Sequence, residues 1–140
     1  MNKNMRIIAL YGHGNCGKSK TLNYLRELLR TAGKAISVNA PHKGDVPESF
    51  LYRDKIICIA PGGDAGDIMK RNIAYFKSKN CDVAITASRS RGYGPLELAK
   101  FAKSIGVDIE WYAKSCEYNL SESTHSICNN ETAQFLFSLI

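Results

Sequence analysis

The sequence predicts an α/β domain, a three-layer sandwich in which a five-stranded, mainly parallel sheet carries helices on both faces. Three observations lead there. Short apolar, β-branched runs alternate with segments of helical period along the chain. The run KIICIA, residues 55 to 60, is almost continuously apolar, as a strand covered on both faces must be. Strands separated by helices also join into right-handed β-α-β units, which make parallel sheets. At 140 residues the chain suits one domain, residues 1–140, with neither an internal repeat nor a linker. A chain of that size buries roughly 68–70% of its unfolded surface, enough for a substantial core.

The elements follow in order. Residues 7–11 (IIALY) form a first strand. Over residues 18–32, Leu22, Leu25, Leu29 and Ala32 fall on one helical face, and Gly33 stands where a C-terminal cap belongs. Residues 35–38 make a short second strand, and residues 55–60 a third, stopped by Pro61-Gly62-Gly63. Asp64 can cap the next helix, whose Met69, Ile73 and Phe76 share a face. Residues 82–87 (DVAITA) are the fourth strand. Pro95 suits the first turn of a helix ending near Gly106, with Leu98, Ala102 and Ile105 inward. Residues 107–113 make the fifth strand, and residues 131–140 a closing helix with Ala133, Leu136, Phe137 and Ile140 on its apolar side. Two polar connections, 39–54 and 114–130, are long, and connections beyond about 12–15 residues usually carry function.

Composition excludes several classes. No apolar run approaches the roughly 18 residues of a membrane span, so no membrane partner is expected. The basic-then-apolar start MNKNMRIIALYG runs directly into a glycine motif and reads as the first strand rather than a leader. Cys16, Cys58, Cys81, Cys116 and Cys128 form no C-x-x-C pair and are odd in number, which fits free thiols in a reducing cytoplasm. Cys58, inside an apolar run, is expected to behave as a small hydrophobe. Nineteen Lys and Arg against 13 Asp and Glu give a net charge of +6, but no basic run reaches five residues. That scatter suits a solvated surface with some phosphate-facing members better than a nucleic-acid tract. No Ser/His/Asp or H-E-x-x-H arrangement is present, and His42 and His125 stand alone.

One stretch carries chemistry. Residues 12 to 19 read G-H-G-N-C-G-K-S, fitting G-x-x-x-x-G-K-[ST] between a strand and a helix. Glycines let successive N–H groups turn inward, and the helix N-terminus adds positive potential at the same spot. Gly12, His13, Gly14, Asn15, Cys16, Gly17, Lys18, Ser19 and Lys20 are the candidate phosphate-binding residues. Gly12, Gly14 and Gly17 shape the cradle. His13 either reaches the γ-phosphate or only shapes the loop. Lys18 neutralises β- and γ-phosphates, and the Ser19 hydroxyl is a ligand for Mg²⁺.

This stretch resembles the P-loop of the P-loop NTPases, and the succession of strands looks like their compact kinase–GTPase branch. The resemblance implies a strand order of 2-3-1-4-5, with ATP, or another nucleoside triphosphate, and Mg²⁺ as cofactors. It also implies a metal-facing carboxylate at the end of another strand. Here KIICIA ends in Ala60, and the first carboxylate beyond it is Asp64, followed by Asp67. Asp64 is therefore either a helix cap or a catalytic and metal-facing carboxylate. Arg89 and Arg91, in TASRSRGYGP after the fourth strand, are candidates to stabilise charge on a transferring phosphoryl group. The end of the fifth strand, Tyr112 to Ser115, lies where many P-loop proteins contact the base. No N-K-x-D occurs, so ATP is favoured over GTP. The expected activity is Mg²⁺-dependent hydrolysis of a nucleoside triphosphate or phosphoryl transfer. Two alternatives stay open. One is a small nucleotide or metabolite kinase using His42, Asp45, Glu48, Phe50, Tyr52 and Arg53 toward its acceptor. The other is a nucleotide-dependent switch or assembly protein, in which a homo-oligomer completes the site.

Overall fold

The computed structural model describes residues 4–12, 17–36, 46–63, 65–114 and 122–140. It is an α/β fold with four helices and an open, mixed, mostly parallel six-stranded sheet. The strands are β1 (Arg6–Tyr11), β2 (Lys34–Ala35), β3 (Glu48–Tyr52), β4 (Lys55–Ala60), β5 (Val83–Ser88) and β6 (Ile109–Ala113). The helices are α1 (Lys18–Ala32), α2 (Gly66–Lys79), α3 (Tyr93–Ile105) and α4 (Glu122–Ser138).

The sheet order is β2-β3-β4-β5-β1-β6. Two features correct the sequence expectation. Residues 48–52, read as part of a long connection, are a sixth strand that pairs antiparallel with β4. The two strands join through Arg53 and Asp54, both at positive φ (51° and 61°), the signs of a two-residue hairpin turn whose twist matches its strands. Further, β5 lies between β1 and β4, so the strand carrying KIICIA is not next to the strand that opens the glycine motif. The 2-3-1-4-5 order therefore does not hold. β1 is parallel to both β5 and β6 and sits in the interior of the sheet.

The alternation along β1 divides the core. Ile7 and Ala9 face the side where Met69, Phe76, Leu98 and Phe101 of α2 and α3 pack with Cys58 and Ala84. Ile8 and Leu10 face Leu22, Leu25 and Leu29 of α1 and Ala133 and Leu136 of α4, with Ile57, Ile59 and Ile85. This is the expected three-layer arrangement. Ala32 and Ile105, expected inward, lie at helix ends and are exposed. Gly106 closes α3 in the left-handed conformation, φ 72°, with its N–H donating to the last turn. The closing helix begins at Glu122 rather than at residue 131, and the second strand covers only Lys34–Ala35.

A buried ionic cluster ties β3 to α1. Glu48 is fully buried and accepts from Arg26 Nε and Nη2 at 2.9 and 2.6 Å and from Arg30 Nη2 at 2.8 Å. Burial opposes charge on Arg30, but its bonds to Glu48 and Glu27 outweigh that and raise its pKa. Cys58 and Cys81 are free and buried. Hydrogen bonding with Cys58, together with burial, pushes the Cys81 thiol well above its ordinary pKa and keeps it protonated. No helix among the described residues is long and apolar enough to cross a membrane.

Candidate functional site

The site forms at the carboxyl ends of the parallel strands, where β1 passes into α1. Gly12 leaves β1 with its N–H donating to Ser88 O at 3.2 Å, so the start of the glycine motif is fastened to the end of β5. On the other side, Lys114 N–H donates to Tyr11 O at 2.8 Å and fastens β6. Ser88 and Lys114 are both buried. The motif thus leaves the sheet between two strand ends that hold it from either side.

Gly17 precedes α1 in the left-handed conformation, φ 85°. A Cβ there would fall 2.5 Å from Asn129 Oδ1 on α4, so only glycine fits both the backbone and its neighbour. No acidic residue occupies the first turn of α1, which leaves its N–H groups and positive dipole end to an anion.

Lys18 is only 6% exposed. Its ammonium donates to Gly12 O at 2.6 Å and Ser88 O at 3.0 Å. Charge-assisted bonds to two carbonyls, one just past β1 and one at the end of β5, fix its position. Ser19, half-buried, donates from Oγ to Pro61 O at 3.1 Å, just past the end of β4. The first turn of α1 therefore meets three strand ends, those of β1, β5 and β4.

The segment after β4 is fastened as tightly. Pro61, Gly62 and Gly63 are buried. Gly62 O accepts from Asn72 Nδ2 of α2 at 2.7 Å and from Thr86 Oγ1 of β5 at 3.4 Å. A Cβ on Gly63 would lie 1.8 Å from Ala87 O, and one on Gly94 would lie 2.9 Å from Gly63 O. The glycines at 63 and 94 are thus explained by close backbone approach.

The predicted residues are brought together in part. Lys18 contacts Gly12, Gly17 directly precedes α1, and Ser19 lies in the first turn of that helix. His13, Gly14, Asn15, Cys16 and Asp64 lie outside the described residues, as do His42, Asp45 and Ser115. The N-cap position of α2 is Ala65, and Asp67 is exposed in the first turn of that helix. Arg89 and Arg91 follow β5 at the site's edge and are both exposed. Lys20 is exposed on α1 and lines a surface recess of about 250 Å³ with Asn23, Tyr24, Arg26 and Glu27. Glu48 and Phe50, expected to face an acceptor, are fully buried in β3 instead. Sequence reasoning missed Asn72, Ser88 and Asn129. Ser88 could have been found from its place at the end of an apolar strand, but single asparagines in helices carry no such signal.

The residues fit a nucleotide phosphate and its metal. The cradle side offers a buried ammonium, a left-handed glycine and an uncapped helix start. The metal side offers one hydroxyl, which suits Mg²⁺, an ion that keeps several waters and takes few protein ligands when it rides on phosphates. Among the described residues no three His, Cys, Asp or Glu side chains group to hold a metal by themselves. Comparison with protein-family models, with curated proteins and with solved structures gave no match.

Proposed function

We propose that the protein binds ATP with Mg²⁺ through residues 12–19 and hydrolyses it or transfers its γ-phosphoryl group. The observation that carries this reading is the placement of Lys18. Its ammonium, 6% exposed, sits at the carboxyl ends of β1 and β5 and donates to Gly12 O and Ser88 O, at the edge of a parallel sheet where open α/β folds bind ligands.

In this reading Lys18 moves its hydrogen bonds from Gly12 O and Ser88 O toward the β- and γ-phosphates. The N–H groups at the start of α1, together with those of residues 13–16, would hold the α- and β-phosphates. Bound at Ser19, Mg²⁺ would neutralise charge that develops on the phosphate oxygens. Asp64 would serve as the carboxylate facing the metal or an attacking water. Arg89 or Arg91 would reach the γ-phosphoryl oxygens from the end of β5 as charge builds up. Hydrolysis would break the bond between the γ-phosphorus and the β–γ bridging oxygen, with water supplying the new oxygen and ADP leaving.

A kinase acceptor pocket between residues 39 and 54 receives less support, because Glu48 is committed to Arg26 and Arg30 and Phe50 to the core. Titration calorimetry of the native protein with ATP and Mg²⁺, followed by phosphate-release kinetics, tests the proposal. Saturable binding with release of phosphate is the expected result. No heat of binding with ATP, GTP or ADP at millimolar concentration would refute it.

A further inference from the structure

We propose that two copies of the chain pair edge to edge through β6 and continue one sheet from copy to copy. The inference does not rest on the nucleotide reading. β6 ends the sheet, with β1 on its inner side and, among the described residues, no strand on its outer side. Lys114 N–H donates to Tyr11 O, so in the two-residue alternation of a strand the backbone polar groups of Glu110 and Tyr112 also face β1. The N–H and C=O groups of Ile109, Trp111 and Ala113 therefore point away from the sheet. Trp111 and Ala113 are exposed.

An open edge is usually blunted, and the two edges of this sheet differ in that respect. β2, at the far end, is two residues long and presents the exposed Lys34. β6 is five residues long and carries one charge, Glu110, which Arg6 holds at 2.6 and 2.9 Å. Its edge is also self-complementary. Around a twofold axis at Trp111, an antiparallel second copy sets Trp111 against its own Trp111, and Ile109 against Ala113 in both directions. All three outward residues then fall in hydrogen-bonded pairs, and no shifted register pairs as many. α3 and its copy stay on one face of the joined sheet, and α4 and its copy on the other.

The side chains beside the edge are apolar on both faces. Trp111 meets Tyr11 edge to face and walls a recess of about 640 Å³ with Ala99 and Lys103 of α3. On the other face Tyr112 packs on Phe135 of α4. Trp111, 40% exposed, and Phe135, 49% exposed, offer about 150–250 Å² per copy between them. Together with the strand itself this suits the low end of specific interfaces, about 1,000–1,200 Å² in all, and so a dimer in the micromolar range. A second copy brings the same aromatic side chains to the same edge, which an unrelated strand has no reason to carry. Because the axis reverses the second β6, the two glycine motifs lie at opposite ends of the joined sheet, and neither copy completes the other's site.

The test is sedimentation velocity on the full chain from about 1 to 500 μM, read beside the fluorescence of Trp111, the chain's single tryptophan. The sedimentation coefficient should pass from monomer to dimer across that range, and the emission should move to shorter wavelength with it. Trp111→Lys sets two ammonium groups at the axis, and Ala113→Pro removes an outward N–H while leaving the bonds to β1 intact. Each should weaken association about 100-fold or more while keeping the native circular dichroism spectrum. Leu51→Lys, at an exposed position of β3 on the far side of the sheet, should associate as the native chain does. A dimer that survives both edge variants, or one lost equally in Leu51→Lys, would overturn the inference. A native chain that stays monomeric at about 500 μM would overturn it too and leave the edge to a different strand. Should either edge variant fail to fold, the other decides.

Discussion

Replacing Lys18 by alanine perturbs two things at once, and the structure separates them. The first is stability. Lys18 donates to Gly12 O and Ser88 O, and Ser88 O keeps a second donor in the Gly12 N–H, whereas Gly12 O loses the ammonium. An acceptor left unsatisfied costs about 1–3 kcal/mol, and the relief of no longer burying a charge offsets part of it, for a net loss of about 1 kcal/mol. At roughly 3–5 °C per kcal/mol for a chain of this size, the thermal midpoint should fall by about 3–5 °C. The second is the ligand effect. At a concentration 100 times its Kd, Mg²⁺-ATP should stabilise the native protein by about 2.7 kcal/mol, or roughly 8–13 °C. Loss of about 1.4–3 kcal/mol of charge-assisted binding would raise Kd about 10–150-fold and leave about 0.3–1.4 kcal/mol of stabilisation at the same ligand concentration. Differential scanning calorimetry with and without ligand reads both numbers. A Lys18→Ala variant that keeps the full ligand-induced rise would refute the assignment of Lys18 to phosphate.

Three further outcomes are expected. Arg89→Ala or Arg91→Ala should lower kcat far more than it raises the Kd for ATP, because contacts made only in the transition state change only the chemical step; equal losses in a steady-state and binding comparison would make them ground-state anchors. Asp64→Asn should leave the thermal midpoint near native and reduce turnover by orders of magnitude, and full ATPase activity in that variant would refute its catalytic assignment. Glu48→Ala strands the Arg26 guanidinium, which is 1% exposed, and should cost about 3–5 kcal/mol in urea denaturation; a loss below about 1 kcal/mol would show that the cluster relaxes to water.

The glycine motif at the turn from β1 to α1 was legible because it is a set of fixed residue types at fixed spacing. Gly17, Lys18 and Ser19 sit where the motif alone places them. The α/β class was legible for a similar reason, since IIALY, KIICIA and DVAITA can only be strands covered on both faces. Their order was not. All three runs are apolar enough for the interior of a sheet, so nothing in their composition says that β5 lies between β1 and β4. β3 escaped notice because Glu48 and Ser49 open it with polar side chains. Its glutamate is buried by two arginines 18 and 22 residues earlier, a pairing no local pattern announces. The start of α4 was hidden by its composition: SICNNETAQ has no apolar stripe, and the helix is held mainly by its later residues Ala133 and Leu136. Asn72 and Asn129 reach the site through tertiary packing alone.

The interior place of β1 also bears on how the chain acquires its shape. Arg6 pairs with Val83 and Ile7 with Ile109, so the strand that opens the glycine motif finds its neighbours only at long range along the chain. The β3–β4 hairpin, by contrast, closes through two residues and pairs Tyr52 with Lys55. Loops that long are slow to close, and pairings of such separation form late relative to local ones. On a ribosome β1 emerges before its partners and waits, with Ile7, Ile8 and Leu10 uncovered, until β5 and then β6 have been made. The strand that opens the glycine motif is thus completed only by strands that follow it at long range, and until they form the chain depends on its hairpin and helices to keep that strand from pairing elsewhere.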